Sequence, residues 1–507
     1  MKRVLTIIPT IAMLFSCGGS ASSSQEAYSG PIEFIDPPTT VSIHTDLQAS
    51  YLDDEIESVT KYATGKAELS RPKPVHLEWK SEDTGVPYFV LVSESPSLAG
   101  ADAFKADGNA VDIYNLKVDT QYYYAVSEDG KTPCSKIESF ATDWIGPRNI
   151  YISGVTNCRD IGGKVTKSGA IIKQGNIYRT GNVDGITEKG IAEMHRLGMV
   201  SEVDLRNDCN FDVSPVGEDI NFHNYKMYYD DYSNYIERNC EAVVKSLRVF
   251  AHEENYPIFY HCRIGTDRTG YMTYLLLGLL GAEEEDIYRD YLFSNFGNIE
   301  DTRTLHGSGV NNVQLYYDAI DAFPGETLQE RVYNFLIAMG MTEEELDFII
   351  DYNLEANREE PVLFDHRPIV ANADEFELSD GLTLENYNGL PFVNMDKKKN
   401  EFVSAIVDVL HPGQYDIYVY LYSKNLSIYA DQAFAITCDE LKPEVVHETF
   451  SNLHCRATEG IYVSAKLASL EFREGDVEIV IRNITSSSNS SAYGANIARI
   501  TLIPRLG

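Results

Sequence analysis

The sequence predicts a multidomain protein in which an α/β domain with a central parallel sheet lies between two all-β sandwich domains. Its 507 residues are enough for about three domains of roughly 100 to 200 residues each. Apolar and polar residues alternate with the period of β-strands before about residue 145 and again after about residue 360. Between these stretches, helical spacing of apolar residues alternates with short β-branched runs, which is typical of a sheet flanked by helices.

Composition excludes two classes of function. Acidic residues number 77 against 42 basic ones, a formal net charge of −35 that would repel a phosphate backbone, so a nucleic-acid partner is not expected. The 8 cysteines show no paired C-x-x-C spacing, which argues against a structural zinc site. No metal or cofactor is expected.

The first residues have the pattern of an export signal. Lys2 and Arg3 precede an apolar run from Val4 to Phe15 that is too short to span a membrane. The run up to Cys17 resembles the lipobox of bacterial lipoproteins, which implies cleavage before Cys17 and lipidation of its thiol. The sequence thus predicts a signal peptide over 1–17 and a membrane-anchored lipoprotein that faces the periplasm or the cell surface. An ordinary secretory signal is the alternative.

A flexible tether and a first sandwich are predicted next. Residues 18–45 are rich in Ser, Gly and Pro without periodicity, as in linkers. Residues 46–145 contain short runs in which apolar and polar residues alternate, as in β-strands. Val75, Leu77 and Trp79 are the apolar residues of one such run. This strand and the later period-two run from 116 to 126 resemble a fibronectin type III domain, in which such a Trp packs in the core.

The remaining boundaries follow the change of pattern. Residues 146–360 form the predicted α/β domain, in which the nearly all-apolar run from Met272 to Leu280 indicates a buried helix. Residues 361–507 return to period two, as in Tyr415 to Leu421, and predict a jelly-roll sandwich. Its turns loosely resemble those of carbohydrate-binding modules, so a glycan is a candidate partner of this domain.

One stretch of the predicted α/β domain contains residues whose types and spacing suit catalysis. The apolar strand Pro257–His261 leads into Cys262, Arg263, Ile264, Gly265, Thr266, Asp267, Arg268 and Thr269. A loop that opens a helix can bind a phosphoryl group with its successive amides. Such a site also lowers a thiol's pKa and so provides the thiolate that attacks phosphorus.

The residues of this loop suit phosphoryl binding and activation of the thiol. Gly265 permits the tight curl of the loop, and the planar Arg268 can bind two phosphoryl oxygens, as lysine cannot. The hydroxyl of Thr269 can donate to the leaving thiolate. His261 is interpreted as a support of the loop.

The pattern H-C-x-x-G-x-x-R-T-G resembles the signature loop of the cysteine-dependent protein tyrosine phosphatase superfamily. Further motifs from 148 to 355 resemble its bacterial secreted tyrosine/lipid phosphatase branch: Asn157–Gly163, Tyr178–Gly181, Asp204–Arg206 and Asp290–Asn295. Members of that branch hydrolyse phosphotyrosine and, in some cases, phosphoserine, phosphothreonine or phosphoinositides without a metal.

The resemblance implies a role for each site residue. Cys262 is the nucleophile, Arg268 the phosphate clamp and Asp267 a candidate general acid. Phosphate-binding residues are Arg263, Ile264, Gly265, Thr266 and Thr269, and supporting residues are His261, Arg159 and Asp160.

Several alternatives stay open at this stage. The sequence contains no Trp-Pro-Asp acid loop, so Asp230 and Asp231 compete with Asp267 as proton donors, and Asp267 could instead stabilise the loop. Arg159 and Asp160 could form ion pairs beneath the loop or contact substrate. Thr266 replaces a lysine that is often associated with phosphoinositide recognition, which weakens the lipid interpretation.

The predicted function is a metal-independent phosphatase that hydrolyses phosphate monoesters, first of all phosphotyrosine, through a cysteinyl-phosphate intermediate. Its partners would be a phosphorylated protein or a small phosphate ester, and the membrane through the lipid anchor. One alternative is an inositol polyphosphate or phosphoinositide phosphatase with the same loop. The other is a non-catalytic, glycan-binding surface lipoprotein.

Overall fold

The computed structural model describes residues 32–81, 86–143, 146–229, 235–306, 313–355, 364, 366–387, 390–395, 401–422, 434–438, 462–483 and 495–505. The signal peptide, Cys17, Asp230 and Asp231 lie outside this part of the chain. Within it, every helix falls short of the length and apolar character that a membrane span requires. The chain divides into two compact units, the first holding the described parts of Met1–Pro38, His76–Val111 and Tyr122–Ser139 and the second the rest.

The described residues of the N-terminal region form one α-helix and eight strands: β1 (Glu33–Ile35), β2 (Thr40–Val41), α1 (Asp46–Leu52), β3 (Val75–Lys80), β4 (Phe89–Ser93), β5 (Asp102–Lys105), β6 (Ala110–Ile113), β7 (Gln121–Ser127) and β8 (Glu138–Thr142). In the first unit β1 pairs antiparallel with β3, and β4 pairs antiparallel with β5 and β7. Trp79 is only 1% exposed and packs edge-on against Phe34 and Tyr88, which confirms its predicted place in the core. The fibronectin type III resemblance stays a prediction.

Residues 33–63 differ from the predicted tether and sandwich. Strands β1 and β2 fall within the predicted tether, and residues 46–61 form α1 and a 3₁₀ helix rather than strands. Thr45 caps α1 through a capping box with Gln48, a local signal for a helix start. Tyr51 is fully buried against Phe293 and Phe296 of the α/β domain, so burial of its ring holds this segment in place.

Where the structure describes it, the α/β domain has six strands and seven α-helices: β9 (Arg148–Asn149), β10 (Arg159–Asp160), β11 (Ile177–Thr180), α2 (Glu188–Arg196), β12 (Ser201–Arg206), β13 (Asn221–Met227), α3 (Tyr235–Phe250), β14 (Ile258–His261), α4 (Asp267–Leu279), α5 (Glu284–Phe293), α6 (Gln314–Asp321), α7 (Leu328–Ala338) and α8 (Glu343–Asn353). The strand order in the sheet is β13-β12-β14-β11-β10-β9. Strands β13, β12, β14 and β11 pair in parallel, and β10 and β9 pair antiparallel.

Strand β14 lies in the middle of this sheet, and all four of its residues are buried. Helix α4, which follows it, is buried along its length from Arg268 to Leu279 and packs against α5 and α7. This explains its apolar character on every side, since a helix with no solvent-facing side needs no polar stripe. The loop between them lies at the carboxyl ends of parallel strands, where α/β sheets place their ligands.

In the part of the C-terminal region that the structure describes there are ten strands: β15 (Ile369–Asn372), β16 (Glu377–Leu378), β17 (Leu384–Tyr387), β18 (Leu390–Met395), β19 (Phe402–Val409), β20 (Gly413–Tyr422), β21 (Phe434–Cys438), β22 (Tyr462–Phe472), β23 (Gly475–Asn483) and β24 (Ala495–Arg505). They form two antiparallel sheets, ordered β17-β18-β24-β20-β22 and β16-β19-β23-β21, and β15 pairs antiparallel with β24 of the first sheet. Alternate residues of both sheets share one core, for example Val403, Ile417 and Ile500. The sandwich also contacts the α/β domain, because Arg499 donates to the carbonyls of Ile337 and Met341 at the end of α7.

Candidate active site

The predicted strand, loop and helix around Cys262 are confirmed. Strand β14 ends at His261 and α4 begins at Asp267, so Cys262 to Thr266 form the loop between them. Cys262 is only 2% exposed. Its thiol therefore lies beside a helix N-terminus, where the unpaired amides and the helix dipole favour negative charge.

Three consecutive carbonyls of the loop accept hydrogen bonds from side chains of other segments of the α/β domain. The side-chain nitrogen of Asn182 donates to the Arg263 carbonyl at 2.6 Å, and the side-chain nitrogen of Asn157 donates to the Ile264 carbonyl at 3.0 Å. The Gly265 carbonyl accepts from Asn157 at 2.9 Å and from Arg179 at 2.6 Å. In a trans peptide the following N–H points away from the carbonyl. The next amides therefore point to the other side of the loop, as an anion cradle requires.

Gly265 is required for this loop. Its φ of +69° lies in the left-handed region, and a Cβ placed on it would come within 2.3 Å of the Thr180 carbonyl oxygen. Only glycine fits a backbone that is both left-handed and in contact with the neighbouring strand.

A buried ion-pair network lies beneath the loop. Arg159 and Arg179 both pair with Asp290, and Arg159 also donates to the Asp290 carbonyl at 3.0 Å and to the Ser294 hydroxyl at 3.2 Å. All three charged side chains are fully buried. Burial raises the pKa of the Asp290 carboxyl, but the two guanidinium groups outweigh it and hold the pKa well below its usual range.

Asp160 also has a supporting place. It pairs with Arg148 at 2.6 Å and accepts the amides of Gly162 and Gly175 at 2.8 and 2.6 Å. Arg159 and Asp160 both form buried ion pairs, Arg159 in the network beneath the loop and Asp160 with Arg148.

The surroundings of Cys262 favour its thiolate. Burial raises the pKa of the thiol, but the positive charge of Arg268, with a smaller contribution from the neighbouring Thr269, outweighs burial and lowers the pKa below the ordinary value of 9.0. Thr269 is itself fully buried in the first turn of α4. The thiol is therefore partly ionised at a lower pH than an ordinary cysteine, which suits a nucleophile.

Arg268 is 4% exposed. Among the described residues, all hydrogen bonds of the Arg268 side chain come from one terminal nitrogen, Nη1. This nitrogen donates to Asn207 Oδ1 and to the Met227 carbonyl at 3.2 Å each, and to the Leu205 carbonyl at 3.5 Å. Its guanidinium carbon lies 4.7 Å from the ring centre of Tyr229. These contacts fix the side chain while its other nitrogens keep the fork geometry that binds phosphoryl oxygens.

Asp267 is paired with a residue that the sequence did not indicate. Arg303 donates to both carboxylate oxygens of Asp267, at 3.1 Å each, and Tyr316 donates to the Asp267 carbonyl at 2.9 Å. Arg303 and Asp267 are 5% and 14% exposed at their side chains. These contacts fit a support of the loop, one of the two roles that the sequence left open for Asp267, and the role of its carboxyl group as proton donor stays a prediction.

His261 is fully buried at the end of β14, next to the first residue of the loop. Its Nε2 lies 2.9 Å from Glu202 Oε1 and its Nδ1 lies 3.1 Å from the Cys262 carbonyl oxygen. Burial lowers the pKa of His261, but the hydrogen bond and charge of Glu202 and the charge of Asp204 raise it above the ordinary value. Glu202, Asp204 and His261 are the only described residues whose donor atoms cluster as metal ligands would. Ser214 and Arg206 already bind the two carboxylates, so these groups are satisfied without an ion.

Two loop residues differ in what they present to a ligand. Arg263 is 60% exposed and forms a solvent-screened pair with Glu300 at 3.0 Å. Thr266 is fully buried, and its hydroxyl lies 3.4 Å from the Asn157 side-chain nitrogen. Thr266 can therefore contribute its backbone amide to a phosphate but adds no exposed polar group.

Sequence reasoning missed several contributors to the site: Asn182, Asn207, Tyr229, Glu202, Arg303 and Tyr316. Asn182 follows the Tyr178–Gly181 motif directly, and Glu202 lies on the strand before the Asp204–Arg206 motif, so their neighbourhood was a usable signal. Arg303 lies 36 residues after Asp267 in a segment without periodicity, and no local pattern indicates it.

Comparison with known proteins agrees with this site. A family model described as "Tyrosine phosphatase family" matches residues 150–348. A Cupriavidus necator protein named "Putative tyrosine-protein phosphatase" is 25% identical over 186 residues, which cover 31% of this chain and 67% of that protein. These two similarities support the tyrosine phosphatase superfamily, and with it a phosphatase enzyme.

Solved structures similar to this chain include two carbohydrate-binding modules. A family 35 module from Clostridium thermocellum is 15% identical, covers 27% of this chain and 97% of its own, and has a TM-score of 0.21. A family 6 module of a laminarinase from Zobellia galactanivorans is 16% identical, covers 27% and 99%, and has a TM-score of 0.19. Scores of this size establish neither a shared fold nor a ligand, so glycan binding by residues 361–507 stays a prediction.

Proposed function

We propose that this protein hydrolyses phosphate monoesters, phosphotyrosine first of all, through a cysteinyl-phosphate intermediate and without a metal ion. The observation that carries the proposal is the position of Cys262. Its thiol has a lowered pKa beside a loop whose carbonyls are held by Asn182, Asn157 and Arg179, and Arg268 follows in the first turn of α4.

The reaction would proceed in two displacements. The Cys262 thiolate attacks phosphorus while the bond to the leaving oxygen breaks, and that oxygen takes a proton from an acid, for which Asp267 is the candidate. A water molecule then attacks phosphorus, the S–P bond breaks, phosphate departs and the thiolate is restored. The carboxylate that gave its proton in the first step takes one from this water.

Arg268 and the loop amides would supply positive charge to the phosphoryl oxygens in both steps. Preorganised donors of this kind stabilise the charge that develops in the transition state and need no reorganisation during the reaction. The Arg268 side chain is already held by the hydrogen bonds from its Nη1 and by the ring of Tyr229. Little conformational freedom of this side chain is therefore lost when phosphate binds.

Three observations favour phosphotyrosine over a polyphosphorylated inositol. The side chain of Thr266 is buried and offers no cation for a second phosphate, and the exposed Arg263 is already paired with Glu300. The formal net charge of −35 also disfavours a strongly anionic substrate at long range.

A turnover panel tests the proposal on the full chain. The substrates are a phosphotyrosine peptide, a phosphoserine peptide, a phosphoinositide and inositol hexakisphosphate, and we expect the highest kcat/KM for phosphotyrosine. Cys262→Ser should abolish turnover, because a serine hydroxyl is not ionised by this loop, whereas the control Cys134→Ser should match the parent. Turnover by Cys262→Ser near the parent rate contradicts the proposal, and a preference for either inositol compound favours the alternative substrate.

We also propose that the protein is an exported lipoprotein anchored through Cys17. This proposal rests on the sequence alone: Lys2 and Arg3, the apolar run Val4–Phe15 and the lipobox-like residues before Cys17. Several acyl chains on one cysteine anchor a protein stably, which a single chain does not.

A further inference from the structure

Residues 64–70, here called the strap, lie against the candidate active site although they precede the region matched by the phosphatase family model. The Gly65 amide donates to the Asn295 carbonyl at 2.8 Å, and the Ile299 amide donates to the Gly65 carbonyl at 2.9 Å. The Leu69 amide donates to the Phe296 carbonyl at 2.6 Å. The strap is thus bonded by its backbone to the segment that follows α5, within one compact unit.

Glu68 links the strap to two other segments. Its Oε1 accepts the amide of Ser70 at 3.1 Å and also the Ser70 hydroxyl. Its Oε2 accepts the Thr156 hydroxyl and lies 3.4 Å from the Asn298 amide. One half-buried carboxylate therefore joins the strap, the residue before Asn157 and the segment after α5.

A chain of hydrogen bonds leads from Glu68 to the phosphate loop. The Ser70 oxygen, oriented by Glu68, accepts the Asn157 amide at 3.2 Å. Asn157 is fully buried, has a φ of +57°, and holds the Ile264 and Gly265 carbonyls. Because these carbonyls set the direction of the loop amides, the position of Asn157 determines how well the amides face an anion.

A second route reaches the helix end of the loop. The Thr302 hydroxyl donates to the Thr64 carbonyl at 2.8 Å, and a Cβ on Gly65 would meet the Asp301 carbonyl oxygen at 2.6 Å. Arg303 comes next in the chain and holds Asp267. The strap therefore contacts both segments that hold the loop.

We propose that Glu68 and Ser70 are positioning residues for the phosphate loop, and that the catalytic domain includes the strap. This inference rests on the proposed function, in which the loop binds phosphate and activates Cys262. Loss of either side chain should leave Asn157 less well fixed, which weakens stabilisation of the thiolate and slows the chemical step.

The experiment compares full-length variants by two measurements. The first is the pH dependence of Cys262 alkylation by iodoacetamide, which reports the thiol pKa without any substrate. The second is kcat and KM on p-nitrophenyl phosphate. We expect Glu68→Gln to move the alkylation midpoint upward and to lower kcat by about tenfold. The matched control is Glu57→Gln, because Glu57 is 66% exposed in the preceding 3₁₀ helix and should behave as the parent.

A second pair of variants separates positioning from loss of folding. Ser70→Ala removes the acceptor for the Asn157 amide and should shift the alkylation midpoint upward, whereas Ser70→Thr keeps the hydroxyl and should restore the parent midpoint. The Tm of each variant is measured beside these values. An unchanged midpoint and kcat in a folded Glu68→Gln or Ser70→Ala protein overturns the inference. If the parent protein hydrolyses none of the phosphate esters, the proposed function is wrong. The alkylation comparison still tests whether Glu68 and Ser70 position the loop.

Discussion

Arg303 donates two hydrogen bonds to the carboxylate of Asp267, from Nε to Oδ1 and from Nη2 to Oδ2, each at 3.1 Å. This fork joins the first residue of α4 to a segment 36 residues later and closes one side of the phosphate loop. Both oxygens of the candidate acid are therefore oriented by a guanidinium group before any substrate binds.

If Asp267 donates the proton to the leaving group, Asp267→Asn should lose at least about tenfold more rate on an alkyl phosphate than on a nitrophenyl phosphate. The reason is that a poor leaving group needs the proton and nitrophenolate does not. Steady-state kcat on both substrates measures this difference. Equal losses on both would assign Asp267 to loop support together with Arg303, and the Asp230→Asn/Asp231→Asn double variant would then be examined in the same way.

Arg268→Lys should lower kcat/KM by about 10²-fold or more, because a lysine ammonium cannot bind two phosphoryl oxygens in a fork. Lysine would also lose the planar stacking on the ring of Tyr229. The control is Arg248→Lys, since Arg248 pairs with Glu345 on α8 and is 40% exposed. A loss in Arg268→Lys no larger than in Arg248→Lys would contradict the clamp role.

The loss of activity at low pH should follow protonation of the Cys262 thiolate. Because its pKa is lowered from 9.0, the thiolate and the rate persist below pH 9 and disappear as the pH falls through the lowered pKa. Arg268→Gln should raise the midpoint, since it removes the charge that contributes most to lowering the pKa. Alkylation by iodoacetamide across pH 4 to 10 measures both midpoints, and a parent midpoint at the ordinary value would argue against an activated thiol.

Gly265→Ala should destabilise the protein and remove activity, whereas Gly169→Ala should cost less stability and leave activity at the parent level. Both glycines have positive φ, +69° and +84°, but a Cβ on Gly169 has no atom within 4 Å, while one on Gly265 meets the Thr180 carbonyl oxygen at 2.3 Å. Strain at such positions costs about 1–3 kcal/mol, and the clash at Gly265 adds to it. Urea unfolding and turnover of both variants provide the comparison.

Cys17→Ala should leave the chain as an unprocessed precursor or move it out of the membrane fraction, because the acylated cysteine is the proposed anchor. Fractionation of cells followed by mass measurement of the chain tests this. A mature-sized Cys17→Ala chain that stays with the membranes would rule out lipidation at Cys17.

The sequence by itself determined the elements that are continuous in the chain. An apolar strand, a glycine-containing turn and an apolar helix are adjacent from Ile258 to Leu279, so local pattern was enough to predict their order and to place Cys262 and Arg268 between and within them. Alternating residues in the C-terminal strands likewise predicted sheets with one shared core.

The tertiary structure alone decided which distant residues hold the loop. Arg159 and Arg179 share Asp290 across 131 and 111 residues, Ser70 reaches Asn157 across 87, and Arg303 holds Asp267 across 36. Each of these side chains, taken alone, has the pattern of an ordinary charged or polar residue. Their partners are set by how strands and helices pack, because a buried charge is stable only where the fold brings an opposite charge or a hydrogen-bond donor to it.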